Sequence, residues 1–110
     1  MARKRKKKRR QERPKELVLP SEGEILCVVE RLVGAEHLIA RCADGKSRMC
    51  RIPGRFKRRV WIREGDVILI VPWEFDDKKA DVVHRYFPDE VRQLVEKGII
   101  SPEFLEGGAV

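Results

Sequence analysis

Between Lys46 and Arg63 the chain carries eight basic residues and no acidic one: Lys46, Arg48, Arg51, Arg55, Lys57, Arg58, Arg59 and Arg63. Gly54 and two aromatics, Phe56 and Trp61, are set among them. Cations beside flat rings suit a polyanion whose bases can also stack, so this stretch reads as a nucleic-acid surface built into a fold. A solubility face would mix its signs, whereas this run carries a self-repulsion that an anionic partner would offset. Phe56 lies between cations with no apolar neighbour closer than Val60, which suits contact with a base or a partner. Trp61 precedes Ile62 at the entrance to an apolar strand, and that position fits the core as well as a base.

A second basic element opens the chain. Arg3, Lys4, Arg5, Lys6, Lys7, Lys8, Arg9 and Arg10 are consecutive, and residues 1–16 hold ten Lys/Arg against two Glu, a net +8. The whole chain is +7, so residues 17–110 sum to −1 and the body has almost no basic area besides the stretch from Lys46 to Arg63. From Glu74 onward nine acidic residues face five basic ones, which polarises the molecule and would orient it on a polyanion. An arm of this kind contacts phosphates without reading sequence.

Other chemistries find no support. His37 and His84 each sit in a strand-like run with no second ligand at metal spacing, and Asp76, Asp77 and Asp81 lack the oxygen-ligand pattern of a calcium loop. No Gly-rich phosphate loop, nucleophile elbow or triad spacing occurs, so neither catalysis nor a cofactor or metal is expected. Cys27, Cys42 and Cys50 are odd in number and show no paired spacing, which reads as three reduced, buried thiols in a cytoplasmic protein. The basic start runs into charge and not into an apolar stretch, and Val67 to Val71 is far too short to span a membrane. Asn and Thr are absent and 39% of residues are charged, a composition suited to heat and pointing to a thermophile.

These residues need a scaffold. Residues 1–16 cannot fold alone and form a disordered basic arm. Ile25 to Val29, His37 to Cys42, Ser47 to Ile52, Val67 to Val71 and Ala80 to Tyr86 read as five short strands. Val33 to Glu36, Asp44-Gly45, Glu64 to Asp66 and Asp76 to Lys79 are the turns, with Arg55 to Arg63 a loop after the Pro53-Gly54 stop. The fold class is therefore an all-β core closed as a small five-stranded barrel or sandwich over residues 17–87. Residues 88–110 add a short helix opened by Pro88 and stopped by Gly98, with Val91, Leu94 and Val95 as its buried stripe and a loose end beyond.

The segment Ile52-Pro53-Gly54-Arg55-Phe56-Lys57-Arg58-Arg59-Val60-Trp61-Ile62-Arg63-Glu64-Gly65-Asp66 resembles the archaeal and eukaryotic translation initiation factor 1A family, with bacterial initiation factor 1 more distant. Asp44-Gly45, Lys79 to Val83, Arg85-Tyr86 and the basic arm follow the same pattern, so the likeness covers nearly the whole chain. It implies a five-stranded OB-fold barrel of the S1-like kind. It implies a non-enzymatic, monomeric factor in the A site of the small ribosomal subunit, supporting initiator methionyl-tRNA and mRNA binding and promoting subunit dissociation. Ribosomal RNA would meet Arg55, Phe56, Lys57, Arg58, Arg59 and Trp61, with Lys46, Arg48, Arg51 and Arg63 added by charge alone. Pro53 stands where eukaryotic members have a basic residue, which fits an archaeal form. No long acidic tail is present, so contact with the initiation factor 5B counterpart would fall to Ile99 to Val110; initiation factor 2 is a further partner the resemblance suggests. The alternative is a general single-stranded RNA chaperone of cold-shock type, but seven aromatics make a poor stacking platform. A third reading is an adaptor whose basic loop meets an acidic protein.

Overall fold

The computed structural model describes residues 16–54 and 62–106. Five strands form: β1 (Ile25–Val33), β2 (His37–Cys42), β3 (Ser47–Arg51), β4 (Val67–Pro72) and β5 (Lys79–Arg85). In β2 and β3 every second residue is buried, the mark of a strand with one face on a core and one in water. β1 and β4 instead bury four residues in a row, because both of their faces are covered. Cys27, Val29, Ile68 and Ile70 point into the barrel interior, while Leu26, Val28, Val67 and Leu69 enter a second cluster outside it.

The strands close in the order β1-β2-β3-β5-β4. All neighbours are antiparallel except β3 and β5, which run parallel through Met49–Lys79, Cys50–Ala80 and Arg51–Asp81. This is the OB-fold barrel, and its closure removes the unpaired edges of an open sheet. Asp44-Gly45 makes the β2–β3 turn, with Gly45 at φ 90°, a conformation that only glycine adopts cheaply. β1 is longer than its expected Ile25–Val29. A bulge at Glu30 lets the pairing resume at Arg31 and continue to Val33.

The expectation of three reduced cysteines is corrected. Cys27 and Cys42 face each other in the β1–β2 register and are joined by a disulfide. Cys50 remains free and buried, its thiol pushed up to about 12 by desolvation.

α1 (Pro88–Glu96) starts with proline at its first turn, and Glu90 Oε1 accepts the Phe87 amide at 2.8 Å. Its Leu94, with Val91 and Val95 beside it, packs on Leu26, Val28, Leu69 and Tyr86. Leu17 and Val18 join the same cluster, where Tyr86 Oη donates to the Val18 carbonyl at 2.7 Å. In place of the loose end expected past Gly98, residues 102–105 form a second short helix, α2 (Pro102–Leu105). Ser101 Oγ caps it at 3.1 Å, Phe104 and Leu105 pack into the second cluster, and Arg41 lies over the Phe104 ring while donating to its carbonyl.

One buried cation ties the two turns at the far end of β3 together. Arg48 shares the inward face of Cys50, is 2% exposed, and donates to both Asp44 carboxylate oxygens at 3.1 and 2.9 Å. It also donates to the Asp77 carboxylate at 3.1 Å and, through Nε, to the Asp77 carbonyl at 2.7 Å. Lys46 Nζ reaches Asp77 Oδ2 at 2.8 Å. The Arg48 hydrogen bonds hold the Asp44 carboxyl below its ordinary range, and those from Lys46 and then Arg48 do the same for Asp77.

Replacing Arg48 with alanine should cost about 2–3 kcal/mol near neutral pH, measured by denaturant unfolding, since the carboxylates left behind can regain water. Because both carboxyls are depressed in the folded state, the network's contribution is present above the unfolded pKa of 3.8 and is lost as pH falls through the folded values. The gap between wild type and Arg48→Ala should therefore shrink on acidification below about pH 4. Leu94→Ala, at a fully buried position, should cost about 3 kcal/mol in the same assay.

Candidate nucleic-acid interface

Topology dictates where the basic loop can go. β3 ends at Arg51 and β4 begins at Val67, yet β5 lies between these two strands in the barrel. A tight hairpin therefore cannot join them. Both roots of the longer connection are fixed: Ile52 and Ile62 are 9% and 8% exposed and belong to the barrel core. The Ile52 amide donates to the Glu36 carbonyl at 2.7 Å, binding one root to the β1–β2 turn. On the other side Gly65 N donates to Val29 O at 2.8 Å and Val29 N to Asp66 O at 2.9 Å. Asp66 Oδ2 in turn accepts the Arg63 amide at 2.9 Å and Arg85 Nε at 3.4 Å.

Arg51 and Arg63 stand exposed at the two feet of this connection. Arg55, Phe56, Lys57, Arg58, Arg59 and Trp61 lie outside the described residues, as does the arm from Arg3 to Arg10. Ile52 and Ile62, the described residues on either side of that stretch, are both anchored in the barrel core.

The other two basic residues do not join them. Lys46 precedes β3, so it sits at the opposite end of that strand, about 15 Å from Arg51. It is largely exposed but paired with Asp77. Arg48, expected at an RNA surface, is instead inside the ion cluster with its guanidinium engaged by two carboxylates. A side chain 2% exposed offers no face to a phosphate, and Arg48 leaves the set of contact residues. The signal is in the sequence: Arg48 alternates with Cys50 and Ile52 and follows Asp44 by four residues.

Several residues escape the sequence reading. Asp44 and Asp77 are the partners that neutralise Arg48. Trp73 and Phe75 are 38% and 95% exposed on the β4–β5 connection, where their acidic neighbours hide them from a search for basic and aromatic clusters. His84 is half-buried against the Tyr86 ring, 4.5 Å away, and desolvation holds its pKa below the ordinary value. Among the described residues no group of three or more His, Cys, Asp or Glu could hold a metal, and no helix is long and apolar enough to cross a membrane.

Residues 14–109 match the family model described as Translation initiation factor 1A / IF-1. The translation initiation factor 1A of Metallosphaera sedula is 50% identical over 92 residues, covering 84% of this chain and 85% of that protein. That of Aeropyrum pernix is 52% identical over 99 residues, covering 88% and 89%. That of Sulfurisphaera tokodaii is 45% identical over 102 residues, covering 91% and 94%. The solution structure of translation initiation factor 1 from the Wolbachia endosymbiont of Brugia malayi aligns with TM-score 0.47 and 20% identity, over 64% of this chain and 85% of that one. With matches running from the linking segment through the barrel to the C-terminal helices, the chain belongs to the translation initiation factor 1A family.

Proposed function

We propose that this initiation factor works without catalysis, as a positioned plug: its barrel docks basic-loop-first in the decoding A site of the small ribosomal subunit. The observation that carries this reading is the anchoring of both loop roots, Ile52 and Ile62, in the barrel core. A basic segment held at both feet presents its cations at one end of a folded body, which favours one docking site over diffuse binding. Arg55, Lys57, Arg58 and Arg59 supply phosphate contacts there, Arg51 and Arg63 flank them, and Phe56 stacks on a base. Trp61, one residue before the buried Ile62, is divided between core and RNA.

Residues 1–16 act as an arm along neighbouring phosphates, residues 17–87 as the docking domain, and residues 88–110 as an extension towards other factors. In this position the protein supports initiator tRNA and mRNA binding and keeps the subunits apart, as a cytoplasmic monomer. The initiation factor 5B counterpart or initiation factor 2 would meet its C-terminal segment. The cold-shock alternative needs a platform of exposed rings beside the cations. Among the described residues the exposed rings are those of Trp73 and Phe75, and these lie at the other end of β3, away from Arg51 and Arg63.

Reversing Arg55, Lys57, Arg58 and Arg59 together to Glu should leave the barrel folded, by circular dichroism, and abolish co-sedimentation with purified small subunits. Partial reversals should flatten the plot of log affinity against log salt by roughly 0.7 per lost contact. Stoichiometric binding by the fourfold variant would sink the assignment of the loop.

A further inference from the structure

Asp66 is an acid placed beside the exposed Arg63, and its backbone and carboxylate are both engaged. Its amide donates to the Arg63 carbonyl at 3.1 Å, closing the turn Arg63–Asp66 in which Gly65 takes φ 90°. Its carbonyl accepts the Val29 amide of β1 at 2.9 Å. Its carboxylate Oδ2 accepts the Arg63 amide at 2.9 Å and Arg85 Nε, at the end of β5, at 3.4 Å. One residue therefore joins β1, β5 and the foot on which the basic stretch returns to the barrel.

The post behind Asp66 is itself fixed. Arg85 stands opposite Ile68 in the β4–β5 register, and its guanidinium lies 5.2 Å from the centre of the Phe87 ring. Phe87 precedes α1, and Glu90 holds its amide. The Arg85 and Asp66 side chains are 22% and 23% exposed, so the pair is largely withdrawn from solvent while Arg63 stands out in it.

Charge and geometry pull in opposite directions at this position. As a charge, Asp66 repels phosphates that approach Arg63, and removing it would tighten binding to any polyanion. As an acceptor it holds the Arg63 backbone, and so sets the direction in which that side chain leaves the barrel. A foot without this hold would have to be ordered when RNA binds, at a cost in affinity. Arg85 offsets the carboxylate, which shrinks the repulsion and leaves the acceptor geometry as the larger effect.

We propose that Asp66 is a positioning residue for RNA binding: steadied by Arg85, it sets the return foot so that Arg63 meets phosphate. The inference rests on the ribosome-docking reading and deepens it by naming what orients one of the contact residues.

The test measures the affinity of the full chain for purified archaeal small subunits, below the melting transition. Asp66→Ala and Asp66→Asn change the charge equally but differ in the acceptor. Asp66→Asn should stay within about twofold of wild type, and Asp66→Ala should bind about fivefold more weakly. Leu94→Ala, which loosens the second cluster and removes no hydrogen bond of the foot, should keep wild-type affinity. Equal affinities of the two Asp66 variants, above or below wild type, would show that only the charge matters and overturn the inference. A loss by Leu94→Ala as large as that of Asp66→Ala would do the same, since binding would then be reporting stability. Should Asp66→Ala not fold by circular dichroism, Asp66→Glu keeps the charge and shifts the acceptor by one methylene. That variant should bind more weakly than wild type, and unchanged affinity would contradict the positioning role. If the wild type itself failed to bind the subunits, the docking reading would fall and take this inference with it.

Discussion

The parallel pairing of β3 with β5 shapes everything functional in this molecule. It closes the barrel by placing β5 between two strands that are consecutive in sequence, β3 and β4. A hairpin cannot join strands that are not neighbours, so a longer connection, residues 52–66, links them. That connection is where the chain concentrates its cations. Buried isoleucines on either side fix the feet of this self-repelling stretch, so the ordering entropy of its ends is met on folding and not on binding.

The same closure separates the chain's charges in space. β3 carries Lys46 to one end and Arg51 to the other, so a stretch that is continuous in sequence divides between two ends of the barrel. At the Lys46 end the cations are internally neutralised: Arg48 is inside, shared by Asp44 and Asp77, and Lys46 closes the cluster from outside. This network stabilises two turns and takes two of the eight basic residues out of the basic end. The β4–β5 tip beside it carries charges of both signs and the exposed Trp73 and Phe75. The helical extension adds a third structural element by covering the outer faces of β1 and β4 with Leu94 and Phe104, and Arg41 holds its end against the barrel.

Much of this is legible in the residues alone, for identifiable reasons. His37–Cys42 alternates strictly and is bounded by turn residues, and Pro88 and Gly98 mark the helix with local backbone chemistry. What escapes depends on contacts distant in sequence. The Cys27–Cys42 disulfide follows from strand register, which cysteine parity does not reveal. β1 outruns its expected end because a bulge absorbs Glu30, which breaks the alternation without breaking the strand. α2 is four residues long and is secured by Arg41, 63 positions away, so its own sequence carries little signal. Arg48 is misplaced when charge is counted before face: its alternation with Cys50 puts it inward, and residue type alone puts it on RNA.

The central claim is that a loop fixed at both feet docks at one place on ribosomal RNA. Chemical footprinting of small-subunit RNA, with and without saturating protein, tests it most directly. Protection confined to the decoding region is the expected result. Weak protections scattered over many single-stranded segments, or no protection while the protein co-sediments with the subunit, would contradict it.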